Sequence, residues 1–440
     1  MHPVFQEIIE IATTKVKEAL GEGPEEWDSD VWEQEVRQFT RSLGAECLST
    51  WGEVRSEQAE AEARWCSCGQ RRQLHKRGNF WWLSSFGKVS IEAPQLRCPK
   101  CHGRDRPFQR LTGLRSRGKS LALRRVLTDF GAEKSFALAS EQLREHYGIE
   151  LDPSSVRQVV LEQARRAEEL VNKEHWEAIT SYQGEKRRRD GVACLIVESD
   201  GSMVRTGELE LDPEGGHSPK RGAIKRRRQT QWKEVRLSTV QAKGEDKKGY
   251  AAVLGFPRRV GEQMFALALS WGYGDNTFVH GVGDGAPWIA GQMAEVFPRV
   301  RYLLDRYHLL EHIYSGAAAL PHSPEAVKDW VEKQVAHIDG GEVDEVIAEC
   351  RSKAGSEPGG TEGPLNGLAR YIEHQREHLD YKRAREEGLP IGSGVVEGGH
   401  RYVIQARMKL PGTWWREESV NPMLALRTLR ANRHWEAFWN

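Results

Sequence analysis

Four acidic residues stand out by their surroundings. Asp200 lies in Glu198-Ser199-Asp200-Gly201, and Asp284 in Gly283-Asp284-Gly285-Ala286-Pro287-Trp288. Asp305 opens Asp305-Arg306-Tyr307-His308, and Glu397 closes Gly392-Ser393-Gly394-Val395-Val396-Glu397. Hard divalent cations take oxygen ligands, so carboxylates gathered in one cleft suit Mg²⁺. Three of them can hold two ions about 3.5–4 Å apart, an arrangement that drives phosphoryl transfer. Asp-Gly is also a common turn dipeptide, so each acid alone says little. A second group is thiol-based. Of seven cysteines, four form the close pairs Cys66-Ser67-Cys68 and Cys98-Pro99-Lys100-Cys101. Two such pairs some 30 residues apart have the form of a zinc ribbon, with four thiolates completing a tetrahedral site. The first pair is CxC rather than CxxC, which leaves His75 or His102 as a replacement ligand. The odd cysteine count argues against a disulfide framework.

The acids gain meaning from the elements that carry them. Val192–Val197 is a near-continuous apolar run, the pattern of a buried strand. Residues 203–210 and 231–242 continue as strands, 258–272 as a helix, 277–282 as a strand, 287–297 as a helix and 300–304 as a strand. Asp200 then follows the first strand, Asp284 the fourth and Asp305 the fifth, while Glu397 sits on a later helix opened by Ser393. A three-strand meander, a helix and two more strands is the order of a ribonuclease-H-like core. In that core the first and fourth strands are neighbours, so acids at their ends meet, and an acid from a later helix completes the cluster.

The remaining chain divides by pattern into an acidic helical region (1–62), a zinc-ribbon-like domain (63–107), a basic helical region (108–168) and a linker (169–190). The core then covers 191–307 and 390–410, with a helical insertion at 308–389 and further helices at 411–440. Residues 1–64 hold 15 acids and 6 bases, whereas 97–125 hold 10 bases and one acid. Further basic runs fall at 186–189 and 220–228. A local basic face matters more to a polyanion than the whole-chain sum. Within 108–168 a helix over 135–147 ends at Gly148, and another begins at Asp152-Pro153-Ser154-Ser155. This is the rhythm of a helix-turn-helix, whose second helix meets the major groove through its first residues. Ser154, Ser155, Arg157 and Gln158 are the candidates to face DNA. Arg401, Arg407 and Lys409, near the Glu397 helix, are candidates for phosphate contacts. Trp81 and Trp82 read as hairpin packing. Trp414 and Trp415 read as core packing of the last helices, with base stacking as the competing role.

The chain has 440 residues, 64 Lys+Arg against 64 Asp+Glu, and a mean hydropathy of −0.64. It has no apolar run long enough to span a bilayer and no secretory leader pattern. The expectation is a soluble, multidomain α+β protein of the cytoplasm, nucleoid-associated when bound to DNA, with no membrane partner.

The motifs Asp-Gly-Ala-Pro-Trp-Ile, Leu-Asp-x-Tyr-His-x-x-Glu-His and Leu-Pro-Ile-Gly-Ser-Gly-x-Val-Glu resemble bacterial insertion-sequence transposases of the DDE type. The ISKra-type group is the nearest likeness, with a more distant similarity to Mutator-like transposases. The ending, with Arg407-Met408-Lys409, Trp414-Trp415 and Trp435-Glu436-x-Phe438-Trp439, is similar too. This resemblance assigns Asp200, Asp284 and Glu397 as a catalytic triad holding Mg²⁺ (or Mn²⁺), two ions, and it implies the helical insertion before Glu397. Asp305-x-x-His308 matches a motif of the Mutator-like relatives, read here as a support or DNA-end contact beside the site, with Asp305 as an alternative triad member. The sequence departs from the pattern in Ser-Asp-Gly around Asp200, in Gly398-Gly399-His400 after Glu397, and in the shortened first knuckle.

The expected function is a transposase that binds the terminal inverted repeats of an insertion sequence. It would cleave DNA and transfer strands as a homodimer or larger assembly, with Zn²⁺ on Cys66, Cys68, Cys98 and Cys101. The alternatives are a domesticated, catalytically silent DNA-binding protein, a ribonuclease-H-like nuclease that does not join strands, and a structural zinc protein without nucleic acid.

Overall fold

The computed structural model describes residues 6, 9–16, 29–184, 189–211, 226–318, 320, 323–354 and 363–440. They form a mixed α+β structure with two mixed sheets, in two units, residues 1–160 and 161–440. Most of the expected first helix, much of the basic runs at 186–189 and 220–228, and most of the loop at 354–364 lie outside the described residues.

In the first unit, alternating apolar residues make a hairpin. Strands β1 (Gln73–Ser84) and β2 (Gly87–Arg97) pair antiparallel, with Phe80 opposite Ile91 and Ser84 opposite Gly87. Gly87 turns the chain at φ 111°, a region open to glycine. Strand β3 (Arg104–Asp105) adds beside β2, and β4 (Gly118–Lys119) runs parallel beside β1. Phe80, Trp82, Val89, Ile91 and Phe108 form the core of this sheet. Trp82 is 2% exposed, and the Lys88 ammonium covers Trp81 at 4.9 Å. Helices Leu121–Glu133 and Phe136–Tyr147 follow, capped by Ser120 and Ser135. The second ends at Gly148, φ 63°. A third helix, Pro153–Gly184, of which only the residues up to Val160 belong to this unit, starts where Asp152 accepts the Ser154 N–H at 2.7 Å. Gly131 lets two helices close up, since a Cβ there would come within 2.4 Å of Val160.

In the second unit the sheet order is β7-β6-β5-β8-β9. Strand β6 (Arg226–Ala242) runs antiparallel to both its neighbours, β5 (Cys194–Leu211) and β7 (Gly249–Val253), while β8 (Phe278–Gly283) and β9 (Val300–Leu304) run parallel to β5. Successive side chains point to opposite faces. Leu195 and Val197 therefore pack with Val260, Met264, Leu267, Ile289 and Met293 of helices Pro257–Ser270 and Pro287–Val296. Cys194, Ile196 and Phe278 pack on the other side against the helices between Arg306 and Glu386, around Leu309, Ile313, Ile372 and Tyr381. Burial on both faces explains the apolar run of β5, at about 1.5–3 kcal/mol for each large side chain removed from water. No helix among the described residues is long and apolar enough to cross a membrane.

Two differences from the sequence expectation bear on the site. The strands expected at 192–197 and 203–210 are one continuous strand. Asp200 pairs with Leu237 and Gly201 with Arg236, so the Asp-Gly step stays in the ladder and does not turn. The third strand of the meander is Gly249–Val253, a short run without polar alternation that the sequence pattern did not mark.

Candidate functional site

The cysteine pairs converge. In the first knuckle the Cys66 N–H donates to the Gln70 carbonyl and the Gly69 N–H to the Cys66 carbonyl, each at 2.9 Å. In the second, the Cys98 N–H donates to the Gly103 carbonyl at 2.9 Å and the His102 N–H to the Cys98 carbonyl at 3.0 Å. His102 takes a left-handed φ of 56°. The four Sγ atoms all lie within 4.8 Å of one another, with Cys66–Cys101 at 3.6 Å and Cys68–Cys98 at 3.4 Å. A tetrahedral zinc site with bonds near 2.3 Å has edges of about 3.8 Å, whereas a disulfide needs about 2.05 Å. The set therefore suits a metal ion such as zinc, and neither His75 nor His102 belongs to it. The Cys68 N–H and the Cys101 side chain draw the Cys66 thiol down to about 6. The Cys101 N–H likewise lowers Cys98. At Cys101 the Gly103 N–H acts downward, but Cys98 and Cys66 push the thiol up to about 11.

Two carboxylates, Glu198 and Asp200, share one face of β5, and Asp284 lies beyond the end of β8. In β5 and β8, Glu198 stands opposite Val282. The ladder ends at that pair, and two residues further along each chain stand Asp200, still in β5, and Asp284, just past β8. Asp200 and Glu198 are two apart on β5, so both point to the side of Cys194 and Ile196. Asp284 sits just past β8, where its Oδ1 accepts the Ala286 N–H at 2.9 Å and Gly285 turns at φ 87°. Burial, with the Asp284 charge beside it, pushes the Tyr371 phenol up to about 12.

Asp305 is 2% exposed and fully engaged. Its Oδ1 caps helix Arg306–Ala317 by accepting the N–H groups of Tyr307 at 2.7 Å and His308 at 3.0 Å. Its Oδ2 accepts the Ser393 N–H at 2.6 Å and Oγ–H at 2.5 Å. A carboxylate offers about four lone-pair sites, and all four are used. His308 lies edge-on to His312, and His312 stacks on Tyr371 at 3.9 Å.

Glu198 was not singled out by sequence. It is 1% exposed, and its Oε2 accepts the Val396 N–H at 2.8 Å. Burial pushes its carboxyl up to about 7, against the pull of the Val396 and Val395 N–H groups. Strand alternation from Asp200 was the signal that could have found it. Glu198 and Asp305 thus hold the start of the short helix Gly394–Gly399. Glu397, in its first turn, is exposed.

One turn on is His400, also overlooked as a functional group, 4% exposed and opening a π-helical stretch to Gln405. Its Nε2 stands 3.1 Å from Asp200 Oδ2. The direction is wrong for a hydrogen bond, and neither ring nitrogen has a hydrogen-bond partner. Burial lowers the Lys409 ammonium, with the Asp200 charge opposing. Among the described residues only the four cysteines bring three or more donors within 4.8 Å. Asp200, Asp284 and Glu397 do not close to that distance.

The expected DNA contacts divide. Ser154, Arg157 and Gln158 are exposed and Ser155 half-buried, while Val156, Val159 and Val160 turn inward. Arg401 and Lys409 are exposed. Arg407 is not available to a phosphate. It is 1% exposed, its guanidinium 4.8 Å over the ring of Trp415. Trp415 is core: it exchanges backbone hydrogen bonds with Arg205 and Gly207, and its indole N–H donates to the Met408 carbonyl at 3.1 Å. Arg228 lies 5.4 Å over Trp414.

Residues 269–436 match the model of an uncharacterised protein family, UPF0236. The match takes in Asp284, Asp305, Glu397 and His400, and leaves out Asp200 and the four clustered cysteines. No curated protein matches the chain.

Proposed function

We propose that the chain is a DNA transposase of the DDE type, with a ribonuclease-H-like core, a zinc ribbon and a helix-turn-helix. One observation carries the reading. Asp200 lies in β5 and Asp284 just past the end of the neighbouring parallel strand β8, each two residues beyond the last β5–β8 pair, Glu198 with Val282, and the helix bearing Glu397 is pinned over β5 by Glu198. The motifs that resemble ISKra-type transposases fall on these same residues.

The donor set fits Mg²⁺ or Mn²⁺, since Asp200, Asp284 and Glu397 offer oxygen ligands. Asp200, Asp284 and Glu397 would hold the ions, which would supply Lewis-acid activation of a nucleophile and charge stabilisation for phosphoryl transfer. Two-ion sites spread their ligands, so the carboxylates need not all lie within one ion's shell. The chain's own part is positional. Glu198 and Asp305 fix the helix that presents Glu397, and Asp284 is fixed by its turn. Arg401 and Lys409, on the exposed side, neutralise phosphates without reading sequence. Arg157 and Gln158 head an exposed helix start suited to base edges of the terminal repeats. Zn²⁺ on the four cysteines would lock the two knuckles. End cleavage and strand transfer are both phosphoryl transfers and need no covalent protein intermediate. A homodimer or larger assembly would pair two element ends.

The test is 3′-end cleavage and strand transfer on DNA carrying the element's flanking ends, with Mg²⁺ or Mn²⁺, beside Asp284→Asn. Cleavage and joining lost in the variant support the proposal. End binding without product in either protein favours the silent DNA-binding protein. Cleavage without joining favours the nuclease.

A further inference from the structure

Nothing in the carboxylate scheme uses His400, yet its position is demanding. A ring that is 4% exposed normally satisfies its nitrogens. Neither nitrogen of His400 makes a hydrogen bond: Nδ1 has no partner, and Nε2 has only the misaligned Asp200 carboxylate, so part of the ring's desolvation cost is left uncompensated. Its Nε2 and Asp200 Oδ2 lie side by side at 3.1 Å. Metal bonds of about 2.1 Å meeting near 90° put two donor atoms about 3.0 Å apart. The pair thus has the spacing of two ligands of one ion. His400 also directly follows the short helix that carries Glu397. The backbone there is π-helical from His400 to Gln405, an irregularity that recurs at functional sites.

We propose that His400 is a nitrogen ligand to the ion held at Asp200. This rests on the acidic-cleft reading above. It adds a consequence for ion choice. Mg²⁺ prefers oxygen and gains little from an imidazole, whereas transition ions gain from it. The site favours Mn²⁺ over Mg²⁺, by the nitrogen ligand and not by the carboxylates.

The experiment uses the full chain with its cysteines zinc-loaded and one equivalent of Mn²⁺, followed by electron spin-echo envelope modulation. Expected is ¹⁴N modulation from a directly bound imidazole, replaced by the ¹⁵N pattern when the histidines are isotopically labelled. In His400→Gln the modulation disappears, Mn²⁺ affinity falls about tenfold or more, and Mg²⁺ affinity changes less than about twofold. Labelling tests the wild-type chain directly, so an unstable variant does not decide the matter. Mn²⁺ binding that depends on Asp200 and Asp284, but shows no imidazole coupling or the same coupling in His400→Gln, overturns the ligand role and leaves the acidic cleft standing. Mn²⁺ binding indifferent to both Asp200→Asn and Asp284→Asn overturns the cleft, and this inference with it.

Discussion

Asp305 is the sharpest test of how this site is built, because two roles compete for it. If it is a clamp, its loss costs stability; if it is a metal ligand, its loss costs metal binding. The structure supplies the magnitude for the clamp. Asp305→Ala removes the cap on helix Arg306–Ala317, worth about 1 kcal/mol. It also strands the Ser393 N–H, now bonded at 2.6 Å in a buried setting, at a further cost of about 1–3 kcal/mol. The sum is about 2–4 kcal/mol. Asp305→Asn keeps one oxygen for the cap, and its amide can donate to Ser393 Oγ, so only the Ser393 N–H is lost, about 1–3 kcal/mol. The assay is hydrogen exchange in Mg²⁺-free buffer, read on peptides covering 306–310 and 391–399, which report local opening rather than the whole chain. Both peptides should lose protection in the alanine variant, and mainly the second in the asparagine variant. Mn²⁺ affinity, extrapolated to the folded fraction, should change far less than in Asp284→Asn. An asparagine variant with undiminished protection but abolished Mn²⁺ binding refutes the clamp and makes Asp305 a ligand.

Other outcomes follow from the same structure. Purified chain should carry one zinc, and Cys98→Ser should lose it and expose the β1–β2 hairpin to exchange; a zinc-free wild type that is fully protected contradicts the four-thiolate centre. Burial pulls His175 down to about 4. Its folded value lies below its unfolded one, so it contributes stability present above pH 6.5 and lost as pH falls toward 4. Urea unfolding should show wild type losing up to about 3 kcal/mol across that window, with His175→Gln losing visibly less; parallel curves would sink the assignment. Arg401→Ala should weaken DNA binding and shrink the salt slope by about one, whereas Arg407→Ala should leave that slope unchanged and lower the melting temperature by taking the guanidinium off Trp415.

Legibility from sequence varied with the kind of signal. The apolar runs around Val279 and Leu303 marked strands because both faces of those strands are buried, and the proline-started helix between them, Pro287–Val296, was equally plain. The Gly249–Val253 strand was not, since five small and apolar residues at a sheet edge carry no period. Asp-Gly at 200–201 reads as a turn locally, and only pairing with Leu237 and Arg236 overrides that. The close-packed cysteine quartet was readable from spacing, because each knuckle is local. Glu198 and His400 were not, because their roles come from contacts some 200 residues away in sequence: Glu198 with Val396 and His400 with Asp200. Arg407 misled for the same reason. A basic residue near a predicted site suggests phosphate, but Trp415 had already claimed it.

The Asp305–Ser393 contact joins residues 88 positions apart, and the Arg306 N–H donates to the Ile391 carbonyl at 3.0 Å beside it. The helical excursion between them therefore leaves and re-enters the core through a single closed neck. Because both lips of that neck are fastened to each other, the path of the chain from Asp305 to Ser393 is set at the neck and not by the length of the outer turns. Lengthening a loop costs only about 0.6 kcal/mol per doubling. The excursion is nevertheless a roof and not an appendage: its helices cover the sheet face of Cys194, Ile196 and Phe278, and Gln375 donates to the Gly285 carbonyl beside Asp284, so only its outer turns are free to lengthen.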